Sequence, residues 1–275
     1  MTETSRTPPE RAAESLLAFW AEAGVDAMLL DEPLDRIAAG RIIPPKPPER
    51  RSEAPQKPAA AARGGPDVSA AIAEARRAAG EAKDLEALKA AIAAFEGCPI
   101  RFEGAARQAV FARGRPDAPL MVIGEGPGAE EDQRGEPFVG RAGQLLDRML
   151  AAAGLKDRVF ITNTVFWRPP GNRTPSAAEQ MVCAPFVERA IELVAPRMIL
   201  LLGAAAAKSM LKRDEGILSL RGRWFEWRSA DETLELPAMP TLHPAFLLRQ
   251  PAAKKKAWSD LMTLTERLDR PDRPH

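Results

Sequence analysis

Two glutamates, Glu125 and Glu131, sit in the stretch Gly124-Glu125-Gly126-Pro127-Gly128-Ala129-Glu130-Glu131-Asp132, directly after the apolar run Leu120-Met121-Val122-Ile123. A short apolar run reads as a buried strand, and a Gly/Pro turn at its end forms a pocket floor at the carboxyl edge of a sheet, where open α/β folds bind ligands. Carboxylates placed there can serve acid–base chemistry or steady a developing positive charge. They do not suit a phosphate. The glycine spacing matches neither the dinucleotide fingerprint nor the Walker loop, no Lys-Ser or Lys-Thr pair follows, and the acids would repel an anion. Gly and Pro punctuate many strand ends, so the turn taken alone is also compatible with a structural role. His243 is the only histidine besides the terminal His275, and an isolated histidine is usually structural.

The elements that would carry these residues are β/α in pattern. Strand candidates fall at residues 109–112, 120–123, 159–162, 198–202 and 238–241, with helices at 143–153, 176–194 and 204–211 between them. This alternation predicts an α/β fold: a three-layer α/β/α sandwich with a mainly parallel central sheet. Trp224 to Trp227 and Leu234 to Leu236 suggest a hairpin, and Thr174-Pro175-Ser176-Ala177-Ala178-Glu179 reads as a helix start capped near Pro175 or Ser176. Residues 1–42 read as an N-terminal helical extension, 43–66 as a Pro/Ala-rich linker, 67–94 as a lead-in of one or two helices interrupted at Gly80, 95–268 as the main domain and 269–275 as a tail.

At 275 residues and 45% apolar, the chain can bury one sizeable core plus an appendage. It has no apolar run of membrane-spanning length, and Met1-Thr2-Glu3-Thr4 lacks the basic start of a secretory signal, so a cytoplasmic protein without a membrane partner is expected. Two cysteines give no disulfide framework, which agrees with a reducing compartment. Residues 1–97 hold 13 Lys and Arg against 16 Asp and Glu, and the remainder 26 against 22. The later part is thus mildly basic, far from the profile of a dedicated nucleic-acid binder. Arg249 and Lys254-Lys255-Lys256 concentrate cations just after His243; they fit either a solvated helix face or phosphate contacts.

The turn continues into Gly135-Glu136-Pro137-Phe138-Val139-Gly140-Arg141-Ala142-Gly143-Gln144-Leu145-Leu146-Asp147, and is followed by Ile161-Thr162-Asn163, by Arg168-Pro169-Pro170-Gly171-Asn172-Arg173-Thr174-Pro175 and by Thr241-Leu242-His243-Pro244-Ala245-Phe246-Leu247-Leu248-Arg249. This ordered set, spread over residues 95–268, resembles the family 4 (type-4) uracil-DNA glycosylases of the uracil-DNA glycosylase superfamily. The resemblance implies a monomeric DNA repair enzyme that flips uracil out of single- or double-stranded DNA and hydrolyses its N-glycosidic bond, leaving an abasic site.

That reaction passes through a transition state with positive charge on the sugar and negative charge on the departing base. The resemblance assigns His243 to the base, donating a hydrogen bond to the developing anion at O2 as either a neutral or a charged ring. Phe246, Leu247 and Leu248 would wedge into the duplex, with Arg249, Lys254 and Lys255 meeting phosphate; the alternative for the apolar trio is a core helix start. Phe138 would stack on the pyrimidine, and the Asn163 amide, with its donor and acceptor, would pair with uracil O4 and N3–H. Core packing for Phe138 and loop capping for Asn163 remain the alternatives. Glu125 would lie on the pocket floor and Glu131 would crowd the thymine methyl. Gly126 stands where the best-known uracil-DNA glycosylases carry a water-activating aspartate, and Asn172 is a further polar residue near water or phosphate.

The likeness breaks at one place. Family 4 enzymes hold a 4Fe-4S cluster on four cysteines, and this chain has only two of those ligands, Cys98 and Cys183, with Phe95 and Trp167 at the other two positions. Neither Phe nor Trp ligates iron, so no cofactor is expected and the aromatic pair is read as an apolar plug. Zinc or a residual cluster at the two thiols is the alternative. Two further functions stay open: a DNA-binding or polymerase-associated module without turnover, and a glycosylase for another deaminated base such as hypoxanthine.

Overall fold

The computed structural model describes residues 68–270; the extension and linker expected before residue 67, and residues 271–275, lie outside them. Three five-residue strands form the centre: β2 (Leu120–Gly124), β3 (Val159–Asn163) and β4 (Met198–Leu202). Every residue in them is buried, which is why β2 and β4 appear in sequence as apolar runs and β3 as one up to Ile161: such strands are covered on both faces. With β1 (Ala112–Gly114), β5 (Phe225–Arg228) and β6 (Glu235–Thr241) they make a sheet of order β1-β3-β2-β4-β6-β5. The inner pairings are parallel, whereas β1 runs antiparallel to β3 and β5 antiparallel to β6.

Alternate strand residues face opposite layers. Met121, Ile123, Phe160, Ile199 and Leu201 pack with one cluster that includes Ala75 of α1 (Val68–Glu81), Leu88 and Ile92 of α2 (Leu85–Ala94), and Phe186 and Ile191 of a later helix (Ala177–Val194). Leu120, Val122, Ile161, Leu200 and Leu202 pack with Leu146 and Leu150 of the helix Arg141–Ala152 and with Leu261, Leu264 and Leu268 of the helix Lys254–Asp269. In chain order the helices after α2 are α3 (Ala129–Arg134), α4 (Arg141–Ala152), α5 (Ala177–Val194), α6 (Gly203–Leu211), α7 (Ile217–Leu220), α8 (Pro244–Arg249) and α9 (Lys254–Asp269). The result is the expected three-layer sandwich.

Three local differences have clear causes. The first strand is Ala112–Gly114 rather than 109–112, because the ladder to β3 pairs Ala112 with Thr162 and Gly114 with Phe160. Gly114, at φ +104, lets the two backbones approach so closely that a Cβ there would lie 2.2 Å from the Val159 carbonyl oxygen. The hairpin expected at 224–236 and the strand expected at 238–241 are one unit, since β6 runs without a break from Glu235 to Thr241. The lead-in helices are part of the core: Leu88 and Ile92 have no exposed surface.

β2 is the strand from which the chain departs in both directions. After β2 it places β3 on one side, then crosses back to place β4 on the other. An open sheet has its binding crevice at such a reversal, outside the carboxyl ends of the strands. Gly124 pairs in register with Asn163 at that edge.

Candidate active site

A cavity of about 520 Å³ opens at this edge, lined by Glu125, Gly126, Glu131, Phe138, Asn163 and Asn172, with His243, Phe246 and Arg249 across from the turn. The strand ends supply Glu125 and Asn163, the loop between α3 and α4 supplies Phe138, and the entry to α8 supplies His243. Every catalytic and base-reading residue expected from sequence therefore meets in one place.

The acids of the turn divide. Asp132 is buried and accepts from the backbone N–H of Arg107 at 2.8 Å, anchoring the segment before β1. Glu130 is exposed. Glu131 accepts from Gly128 N–H at 3.1 Å with one oxygen and from Val139 and Gly140 N–H at 3.0 and 2.9 Å with the other. Three backbone donors hold that carboxylate, so it staples the Phe138 loop to the turn rather than standing free. Glu125 lines the floor, with its carbonyl accepting from the Thr164 hydroxyl at 2.6 Å.

Phe138 is held in a left-handed backbone conformation, φ +55, which costs a non-glycine residue about 1 to 2 kcal/mol and persists only where the surroundings enforce it. Its ring lies 5.8 Å from that of His243, tilted by 34°. Gly124 makes room for it: a Cβ there would stand 2.4 Å from Phe138 Cζ and 2.5 Å from Asn163 Oδ1. Asn163 is 1% exposed, and its Oδ1 has no hydrogen-bond partner among the described residues. A buried carbonyl left without a donor costs about 1 to 3 kcal/mol, so any group that brings a donor to this oxygen is favoured by a comparable amount.

His243 caps α8, its Nδ1 accepting the Ala245 N–H at 3.1 Å. A ring that accepts at Nδ1 carries its proton on Nε2. Burial pulls the imidazole down to about 4 from 6.5, the Arg249 cation pushes the same way, and Glu131 opposes them. The ring is thus a neutral Nε2–H donor at physiological pH. Gly203, at φ +87, gives it space, since a Cβ there would lie 2.9 Å from His243 Cβ.

Of the residues expected at DNA, Arg249 is exposed at the pocket mouth, and Lys254 and Lys255 are exposed in the first turn of α9. Cations at a helix amino end oppose the helix dipole, so they contribute nothing to the helix itself. Leu247 is a correction: it is fully buried with Leu145, Leu242 and Ala257, because it follows Pro244 by three residues on the inward face of α8. Phe246 and Leu248 are only partly buried and remain at the surface. Asn172, at φ +53, accepts from Arg168 Nε at 2.8 Å on the rim. Arg173 of the same loop bonds Glu103 and Glu179, and Ser176 with Glu179 forms the capping box of α5; the S-x-x-E spacing is the sequence signal for it.

The uracil-DNA glycosylase superfamily model matches residues 111–262. The chain is 38% identical over 183 residues to a type-4 uracil-DNA glycosylase from Pyrobaculum aerophilum, covering 65% of this chain and 91% of that protein. Two other type-4 uracil-DNA glycosylases are each 38% identical, from Sulfurisphaera tokodaii over 58% of this chain and 74% of that protein, and from Thermotoga maritima over 55% and 77%. The chain belongs to the type-4 uracil-DNA glycosylases.

The four-cysteine cluster of type-4 glycosylases does not fit the residues present here. Cys98 and Cys183 are fully buried with sulfurs 3.8 Å apart. Phe95 and Trp167 are buried beside them, with ring centroids 6.4 Å apart, and Phe186 packs edge-on against Phe95 at 5.1 Å. Among the described residues no group of three or more His, Cys, Asp or Glu could hold a metal. The Cys183 thiol donates toward the Cys98 sulfur, which together with burial keeps its proton on far above the ordinary range.

Proposed function

We propose that this protein excises uracil from DNA, single- or double-stranded, as the first step of base excision repair, acting as a monomer and without an iron–sulfur cluster. The single observation that supports this most strongly is the buried Asn163 Oδ1, without a partner among the described residues, which meets the Phe138 ring at Gly124. A flipped uracil would stack on Phe138, give its N3–H to Asn163 Oδ1 and take the amide N–H at O4. Cytosine presents the reversed pattern and would leave that oxygen unpaired.

As the C1′–N1 bond breaks, its electron pair passes to the base, and His243 Nε2–H donates to the anion at O2. A neutral donor already in place stabilises that charge without moving a proton first. Glu125, on the floor, faces the positive charge left on the sugar and orients the water whose oxygen bonds to C1′; the proton this water loses passes to solvent, and the departed uracil anion takes one up, so the products are neutral uracil and an abasic site. No step passes through a metal. Phe246 and Arg249, which line the cavity, and the neighbouring Leu248 would hold the opened strand.

The test is excision from oligonucleotides carrying uracil opposite guanine, uracil opposite adenine, and hypoxanthine, read by alkaline cleavage. Cleavage of the uracil strands is expected. Binding without cleavage would support a non-catalytic module instead, and cleavage of hypoxanthine alone would move the specificity. Asn163→Asp removes the amide donor to O4, so uracil excision should fall by on the order of 100-fold.

A further inference from the structure

The geometry points to Arg113 as a positioning residue for Phe138, an inference that rests on the uracil-excising reading above. Phe138 is the ring on which the base would stack, yet its backbone sits in a region that its side chain disfavours. Two side chains grip its loop from opposite polarities. Glu131 takes the N–H groups of Val139 and Gly140. Arg113, at the centre of edge strand β1, takes the carbonyls on the other side: its Nε donates to Pro137 O at 2.8 Å and its Nη2 to Phe138 O at 3.2 Å.

Arg113 is itself fixed. Its backbone pairs with Ile161 of β3, and Nη2 reaches Asp147 Oδ1 on α4 at 2.6 Å. Gly143, one turn earlier on α4, lets the Phe138 carbonyl press against the helix, where a Cβ would come within 1.7 Å of that oxygen. The carbonyl therefore has one place to go, and the guanidinium meets it there. Arg113 does not line the cavity, so its effect on the base must run through the loop. A lysine could keep the charge pair with Asp147 but, as a point charge, could not span two carbonyls.

The experiment is single-turnover excision of uracil from DNA by Arg113→Lys, Asp147→Asn, Phe138→Ala and the double variant Arg113→Lys/Phe138→Ala, each with a melting temperature and an affinity for abasic-site DNA. Arg113→Lys is expected to lose about 10- to 100-fold in rate while binding abasic DNA as tightly as the parent. Asp147→Asn, which keeps the fork on both carbonyls, should retain its rate even if it melts earlier. In the Phe138→Ala background the Arg113→Lys loss should vanish, since the ring it positions is gone. Full activity of Arg113→Lys, an undiminished loss in the double variant, or an equal loss in Asp147→Asn would overturn the assignment. A parent protein inert on every uracil substrate would instead remove the functional reading beneath it.

Discussion

Because the chain has two histidines, replacing His275 with Gln leaves His243 as the sole imidazole signal, and its state can be read directly by nitrogen NMR. The ring is expected to titrate near pH 4 rather than 6.5, with the proton on Nε2 in the neutral form. The sign follows from the lowered value: as pH falls, the unfolded chain takes up the proton first, so His243 opposes folding increasingly between 6.5 and 4. Stability from this residue is complete above 6.5 and gone below 4. The gap corresponds to at most about 3 kcal/mol, readable as a loss of urea-unfolding free energy across that window that is absent in His243→Asn. Excision should show no inflection at 6.5. Arg249→Gln removes the cation that presses the ring down, and should raise its titration point. A midpoint near 6.5, or a proton on Nδ1, would refute the neutral-donor argument.

Gly124→Ala forces a methyl against both Phe138 and Asn163; overpacking of this kind costs about 1 to 3 kcal/mol, and excision should fall with it while affinity for abasic DNA survives. Lys254→Gln with Lys255→Gln should make the dependence of DNA affinity on salt shallower by about 1 to 2 in log–log slope, measured by fluorescence anisotropy, with the single-turnover rate unchanged. Prolonged chelation of protein purified without oxygen should leave the melting temperature and excision rate as they were; a visible absorbance of four irons per chain would contradict the aromatic plug.

Much of the fold was legible because strands covered on both faces are dominated by apolar residues: β2 and β4 carry no polar side chain, and β3 is apolar up to Ile161 before Thr162 and Asn163 bring polar groups to the carboxyl edge. The edges were less so. β1 is short and its limits depend on where β3 ends, which no local pattern reveals. α3, Ala129–Arg134, carries no apolar stripe and shows up in sequence only as acids in a turn. α9 was masked by its own lysines, although Leu261, Leu264 and Leu268 carry its inward stripe. At the site, the residues recognised by motif, Glu125, Phe138, Asn163 and His243, do converge. What the motif could not convey was division of labour: Glu131 spends its oxygens on backbone donors, and Leu247 faces inward because a six-residue helix has room for only one buried face. Arg113 and Gly203 gave no sequence signal, since the partners of the first are two carbonyls and a carboxylate and the neighbour of the second is an imidazole, all distant along the chain.

α1 and α2 lie before the span matched by the family model, yet they complete the sandwich. Ala71, Ala75 and Ala79 present small side chains that let α1 settle against α5, and Arg189 of α5 closes the joint by donating to the Ala82 carbonyl at 3.0 and 2.8 Å. Anyone trimming this protein to its recognisable motifs would strip that cover and bare a large greasy flank, so a well-behaved minimal fragment has to keep α1 and α2.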